Sequence, residues 1–275
     1  MDFWSEHPRA LADIIIDALK KNDLPTLRGI QCFSEATRWT VFGGVESIIN
    51  TIFHETINCK RDAKELRKRL KEDEDHYKYL GTYDAMVRRM KIKEESKIPF
   101  RKIKSLCKDL SARKFLENLA LLEKYGYIAT DRSSDWDNSY VWLPKELWNG
   151  FIEDVLRRGK EESIYCSAIG YMIAHSITGK AVRTLKPIVI VLNRHPDGET
   201  TEREIEEAYH SVGLPIRRWY DFKERDATKT EDIRAIVYYD GHRVIFNREM
   251  VQANRLWRER TNQRLRYLSG RGGRI

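Results

Sequence analysis

Apolar residues recur at helical spacing through most of the chain. Leu11, Ile14, Ile15, Ala18 and Leu19 fall three and four residues apart behind Pro8, which predicts an amphipathic helix over residues 8–21. Leu24-Pro25 is expected to break it. Trp39, Phe42, Val45, Ile48, Ile49, Ile52 and Phe53 predict a second, mostly apolar helix over 34–58, with Gly43-Gly44 as a kink or split inside it. Residues 59–73 carry few apolar positions and read as a charged connecting helix. A further helix is expected over 77–95. Leu147, Trp148, Phe151, Ile152 and Val155 predict a helix at 144–158, and a small-residue apolar helix is expected at 162–177. The period then changes. Pro187–Leu192 is a short apolar run of strand type, closed by the turn signal His195-Pro196-Asp197-Gly198. Helix returns over 200–212. Ile233–Tyr239 and Arg243–Phe246 read as strands joined at Asp240-Gly241, and an Arg-rich helix is expected over 248–268, with a frayed tail.

The segment Pro99–Leu143 is the most patterned. Phe100, Ile103 and Leu106 mark one face of a short helix, and Lys108-Asp109-Leu110 marks a tight break. Ser111 can cap a longer helix over 112–125 with Phe115, Leu116, Leu119, Leu122 and Tyr125 apolar, and Gly126 suits its left-handed end. Tyr127–Thr130 and Ser139–Leu143 then read as two strands around the polar loop Asp131–Asn138.

Helix, turn, helix and hairpin in this order resemble the winged helix-turn-helix superfamily, over about residues 83–143. The resemblance implies duplex DNA as partner, with the second helix of the pair in the major groove. On that reading Ser111, Arg113, Lys114 and Asn118 face base edges. Arg101, Lys102, Lys104 and Lys108 face phosphates, and Arg132 reaches from the wing. Asp131, Asp135 and Asp137 depart from a basic wing and would repel DNA, which places the bet on the helix. Residues 200–247 offer a second, weaker match, with Arg217 and Arg218 after its helix. A tandem pair would resemble the two-lobed replication initiators of plasmids or the paired winged-helix subunits of chromosome-segregation complexes. Another kind of small α+β domain fits the same residues.

Charge supports a polyanionic partner. The 275 residues carry a net charge of +8. Residues 56–114 hold nineteen basic against ten acidic side chains, and residues 248–275 hold eight against two. The two stretches outside them are slightly acidic. Clustered cations attract phosphates by counterion release, although the mixed-sign run Lys60–Asp75 also fits a plain solvated surface. Arg255 and Arg258 lie in the second basic stretch, around Trp257, where stacking or a partner interface is open.

No catalytic or cofactor signature emerges. The cysteines Cys32, Cys59, Cys107 and Cys166 are scattered, without zinc-ligand spacing. The Asp131/Asp135/Asp137 cluster and His195-Pro196-Asp197-Gly198-Glu199 are more simply loop and turn chemistry. No apolar run is long enough for a membrane helix, and the first residues lack a signal-peptide pattern, so a cytoplasmic, nucleoid-associated location is expected. The expected fold class is α+β and mainly helical. Its parts are an N-terminal helical region (1–75), a winged-helix domain (76–160) and a C-terminal α+β domain with a basic terminal helix (161–275). The expected function is DNA binding in transcription regulation, replication or segregation, without metal or cofactor. Either a homodimer formed through the apolar N-terminal helices or other protein partners would accompany it. A protein-interaction adaptor and a nucleic-acid enzyme with an unrecognised site are the alternatives.

Overall fold

The computed structural model describes residues 8–36, 44–158, 170, 172–174, 176–177, 180–217, 219, 237–240 and 242–271. The fold is mainly helical with two small antiparallel sheets. The chain divides into two compact units instead of three segments: Gly43–Gly170, and Met1–Phe42 joined with Tyr171–Ile275. The N-terminal helices therefore belong with the C-terminal part of the chain.

α1 (Pro8–Lys21) forms as expected. Leu24-Pro25 ends nothing. α1 has already stopped at Asn22, whose φ is 52°, and α2 (Leu24–Ala36) starts at Leu24 with Pro25 in its first turn, where no amide donor is needed. Asp23 stabilises that start, its carboxylate accepting from the Thr26 amide at 3.2 Å and the Thr26 hydroxyl at 2.7 Å.

The Gly43–Gly170 unit begins with α3 (Val45–Glu72), launched from Gly44 at φ 90°. The expected 34–58 helix is thus two helices. The charged 59–73 segment is no connector but the distal half of α3. The first half of α3 buries Val45, Ile48, Ile49, Ile52, Phe53 and Ile57; the distal half buries only Ala63 and Leu70. α4 (Glu74–Tyr79) and α5 (Tyr83–Glu95) follow, separated at Gly81, whose φ of 68° ends the single helix expected there. α5 returns along distal α3 and half-buries Met86, Val87 and Met90 on it. A two-residue strand that the periodicity did not announce, β1 (Ile98–Pro99), leads into α6 (Phe100–Leu106). Next come α7 (Ala112–Lys124), β2 (Ala129–Asp131), a 3-10 turn at Trp136–Asn138, β3 (Tyr140–Trp142) and α8 (Lys145–Arg158). The sheet order is β1-β3-β2, with Val141 opposite both Ile98 and Thr130. Phe53 of α3 meets Trp148 and Phe151 of α8 at 5.8 and 5.5 Å between ring centroids. The indole of Trp148 donates to the Tyr127 carbonyl at 2.8 Å, satisfying a buried polar atom and tying α8 to the end of α7.

In the second unit the run Pro187–Leu192 is not a strand. It is the second half of α9 (Lys180–Arg194). Ile188, Val189, Val191 and Leu192 are buried at helical spacing, and their packing outweighs both β-branching and the internal proline. β4 (Glu199–Thr201), α10 (Glu202–Ser211), β5 (Val237–Asp240), β6 (Arg243–Phe246) and α11 (Arg248–Arg271) complete the unit. Its sheet order is β4-β6-β5. Each sheet therefore pairs its last strand with both others. In each, a helix leaves the first strand directly (α6, α10) and another helix follows the hairpin (α8, α11). α1 and α2 pack on α11, burying Leu11, Ile14, Ile15, Leu19, Leu27 and Ile30. The approach at Gly29 leaves no room for a side chain, since a Cβ there would lie 2.0 Å from the Glu249 carbonyl oxygen. The apolar faces expected to mediate dimerisation are thus used within the chain. The helix expected at 162–177 lies largely outside the described residues.

Candidate nucleic-acid interface

α6 and α7 are two helices separated by a short break, and each end is specified locally. Pro99, extended at φ −60° and ψ 140°, precedes α6 without needing an amide donor. Ser111 caps α7, its Oγ accepting from the Lys114 amide at 3.2 Å, and Gly126 at φ 81° ends it. Phe115, Asn118, Leu119 and Leu122 make the buried face, with Phe100 edge-on to Phe115 at 6.2 Å. The solvent face is left with Ala112, Arg113, Lys114, Glu117, Ala120 and Lys124.

That geometry sorts the candidate residues. Arg113 is 90% exposed and its Nε donates to Glu117 at 2.9 Å; the Lys114 ammonium lies 3.5 Å from the same carboxylate. These two cations hold the Glu117 carboxyl below the usual carboxylate range, the Arg113 hydrogen bond being the larger influence. Lys104 is half-exposed, Lys108 is exposed, and neither has an acidic partner among the described residues. Arg101 is exposed and bonded to both Asp137 oxygens at 3.2 Å, and Lys102 pairs with Glu55 of α3. Asn118 is a correction. It is 5% exposed, on the inward face that carries Phe115 and Leu122, and not on the solvent face with Arg113 and Lys114. Its position three residues after Phe115 and four before Leu122 was the available signal. Leu106 is a second correction. Expected on the apolar face of α6, it is 53% exposed beside the turn.

The β2–β3 loop is tied back onto α6 and α7. Trp136 packs on Phe115 at 5.6 Å, and Arg101 holds Asp137. Asp135 caps the 3-10 turn, accepting from the Asp137 amide at 3.0 Å and the Asn138 amide group at 3.1 Å. Asp135 and Asp137, two of the three acids at this hairpin, are therefore occupied structurally. Arg132 bonds Glu123 at 2.7 Å and the Thr130 hydroxyl at 3.2 Å, which holds it against the end of α7. Sequence reasoning missed Lys97, whose ammonium sits 5.3 Å above the Trp142 ring at the mouth of β1.

The remaining candidates lie in the other unit. Arg217 is exposed, and Arg218 falls outside the described residues. Arg255 pairs with Glu259 at 3.1 Å, and Arg258 is exposed without an acidic partner among the described residues. Trp257 is buried, which removes it as a stacking platform. The His195 segment is a turn with internal uses. Its imidazole lies 3.0 Å from Glu204, and the Asp197 carboxylate accepts from the Glu199 amide at 3.1 Å. Glu204 in turn closes a capping box with Thr201 at the start of α10. Hydrogen bonds from Thr200 and Thr201, the Thr200 hydroxyl foremost, hold the Glu204 carboxyl below its ordinary range.

Comparison with protein-family models, curated proteins and solved structures finds no match to this chain. No described helix is long and apolar enough to cross a membrane.

Proposed function

We propose that the Gly43–Gly170 unit is a winged helix-turn-helix that binds duplex DNA through the exposed first turn of α7. On this reading Arg113 and Lys114 face the major groove, Lys104 and Lys108 bind phosphate, and Arg101 and Lys102 exchange their present acidic partners for phosphates. The observation that carries it is the exposed first turn of α7, where Arg113 and Lys114 share the single carboxylate of Glu117, next to Lys104 and Lys108, which have no acidic partner among the described residues. The strand order β1-β3-β2 behind a helix-turn-helix supports it. The repeat of that order in β4-β6-β5 favours a second copy of the same kind of unit. A role in transcription regulation, replication or segregation, as a homodimer or with protein partners, follows from the same reading. A second reading, an adaptor that binds protein through the same face, is favoured by the exposure of Leu106 and by the pairing of Arg113 with Glu117.

Duplex binding by the full chain, titrated from 50 to 200 mM salt, separates the two. A DNA binder loses affinity steeply over that range, by about 0.9 in log–log slope per neutralised phosphate. Arg113→Ala with Lys114→Ala is expected to weaken binding to a preferred site by about tenfold or more, one bidentate contact being worth about 1–3 kcal/mol. Absence of duplex binding at the low-salt end eliminates the DNA reading and leaves the adaptor.

A further inference from the structure

The run Lys60–Asp75 mixes both signs in sequence, but α3 sorts them in space. Arg61, Lys64, Lys68 and Lys71 recur at intervals of three, four and three residues, so they line one side of the helix, and all four are exposed. Asp62 lies about 100° round the helix from Arg61 and is engaged by Lys93 of α5 at 2.7 Å; Glu65 borders the stripe, four residues after Arg61 and three before Lys68, and is engaged by Arg69 at 2.9 Å. Glu94 of α5, which would otherwise face the basic side, is held by Arg67, and its carbonyl accepts from Lys60 at 3.0 Å. Within the stripe only Lys68 has an acid nearby, Glu72 at 3.7 Å with both side chains more than half exposed. Such a pair is worth well under about 1 kcal/mol and exchanges readily. Arg61, Lys64 and Lys71 have no acidic partner among the described residues.

We infer that this stripe is a second, sequence-independent binding surface for a nucleic-acid phosphate backbone. From Arg61 to Lys71 the ten residue steps cover about 15 Å at 1.5 Å per residue. One DNA strand advances by about four phosphates over that length. A protein partner fits less well, since interface cores need apolar residues and are depleted in lysine, and the stripe offers lysine and no apolar side chain. The stripe also stands apart from the α6–α7 face. α6 packs on the α3 ridge of Ser47, Thr51 and Glu55, through the Cys107 contacts at 3.6 and 3.5 Å and the Lys102–Glu55 pair. At about 100° per residue that ridge lies roughly 120° around the helix from the stripe. The stripe is therefore not part of the α3 ridge that carries α6, and replacing it leaves that packing in place. The inference shares with the proposed function only the class of partner.

The test uses the full chain, a labelled duplex of about a dozen base pairs of arbitrary sequence, and fluorescence anisotropy from 50 to 200 mM salt. Three proteins are compared: the unchanged chain, R61A/K64A/K68A/K71A, and R113A/K114A. Alanine preserves helix propensity at these exposed positions, and circular dichroism checks the fold. The stripe variant is expected to lower the log–log salt slope by about 3 to 4. An unchanged slope and affinity in that variant overturns the inference while leaving α7 free to be the reader. Loss in the stripe variant alone, with R113A/K114A unaffected, supports the stripe and removes α7 from contact. A chain that binds no duplex at the lowest salt overturns both.

Discussion

At the scale of single residues, residue type and residue direction proved to be separate pieces of information. Arg113 and Asn118 were equally suitable base readers by chemistry. Their positions on α7 differ, because residues 115, 118, 119 and 122 share the face that packs inward and Arg113 lies on the solvent face. The sequence did contain that fact, since the apolar members of the set define the face. What it did not contain was a reason to overrule the polarity of an asparagine. Asn118→Ala should therefore act on stability and not on recognition. Removing a buried, engaged polar side chain is expected to cost about 1–3 kcal/mol in urea unfolding, with duplex affinity per folded molecule unchanged. A stable variant that binds ten times more weakly would return Asn118 to the interface. The wing acids teach the complementary lesson. Their negative charge was legible, but their use was not, because Arg101 lies 36 residues from Asp137 in sequence.

At the scale of elements, legibility followed local specification. The α6–turn–α7–hairpin segment was readable because a proline, a capping serine and a left-handed glycine fix its boundaries. β1 was not, because two residues have no period, and it exists only through its pairing with β3. α9 failed for another reason. A six-residue apolar run fits a buried strand or a buried helix equally, and only length separates them. Here the helix begins seven residues before Pro187 and continues to Arg194. An interior proline removes one helical hydrogen bond and costs about 3 kcal/mol relative to alanine. Pro187 is itself buried, so its ring recovers part of that cost through packing. Pro187→Ala is accordingly expected to stabilise α9, by about 1–2 kcal/mol net of the lost packing. The check is the midpoint of chemical unfolding. A lower midpoint would mean that the ring fills its site better than a straight helix could.

At the scale of the whole molecule, the informative observation is that sequence order and spatial grouping disagree. Reading the chain from its start suggested a helical region followed by two domains. Instead residues up to Phe42 fold with those from Tyr171 onward, and the intervening Gly43–Gly170 closes on its own core. Phe53, Phe100, Phe115, Leu119, Trp148 and Phe151 pack within that segment. Long-range grouping of this kind leaves no periodic trace, because α1 and α2 are amphipathic whichever surface they cover. It does have consequences for truncation. A fragment spanning 43–170 is expected to unfold cooperatively on heating and to retain its helical signal, since its apolar residues find partners inside it. A fragment spanning 171–275 lacks α1 and α2 and uncovers the side of α11 that carries Ala253, against which Gly29 packs, so it should aggregate or fail to fold. Supplying residues 1–42 as a separate peptide should restore it, and Gly29→Val in that peptide should not, because the valine would strike the Glu249 backbone. The 43–170 fragment also carries α7 and the α3 stripe, so it should bind duplex DNA with most of the salt dependence of the full chain. A folded 43–170 fragment that leaves duplex unbound, where the full chain binds it, would move the interface to the unit that holds Arg217, Arg255 and Arg258.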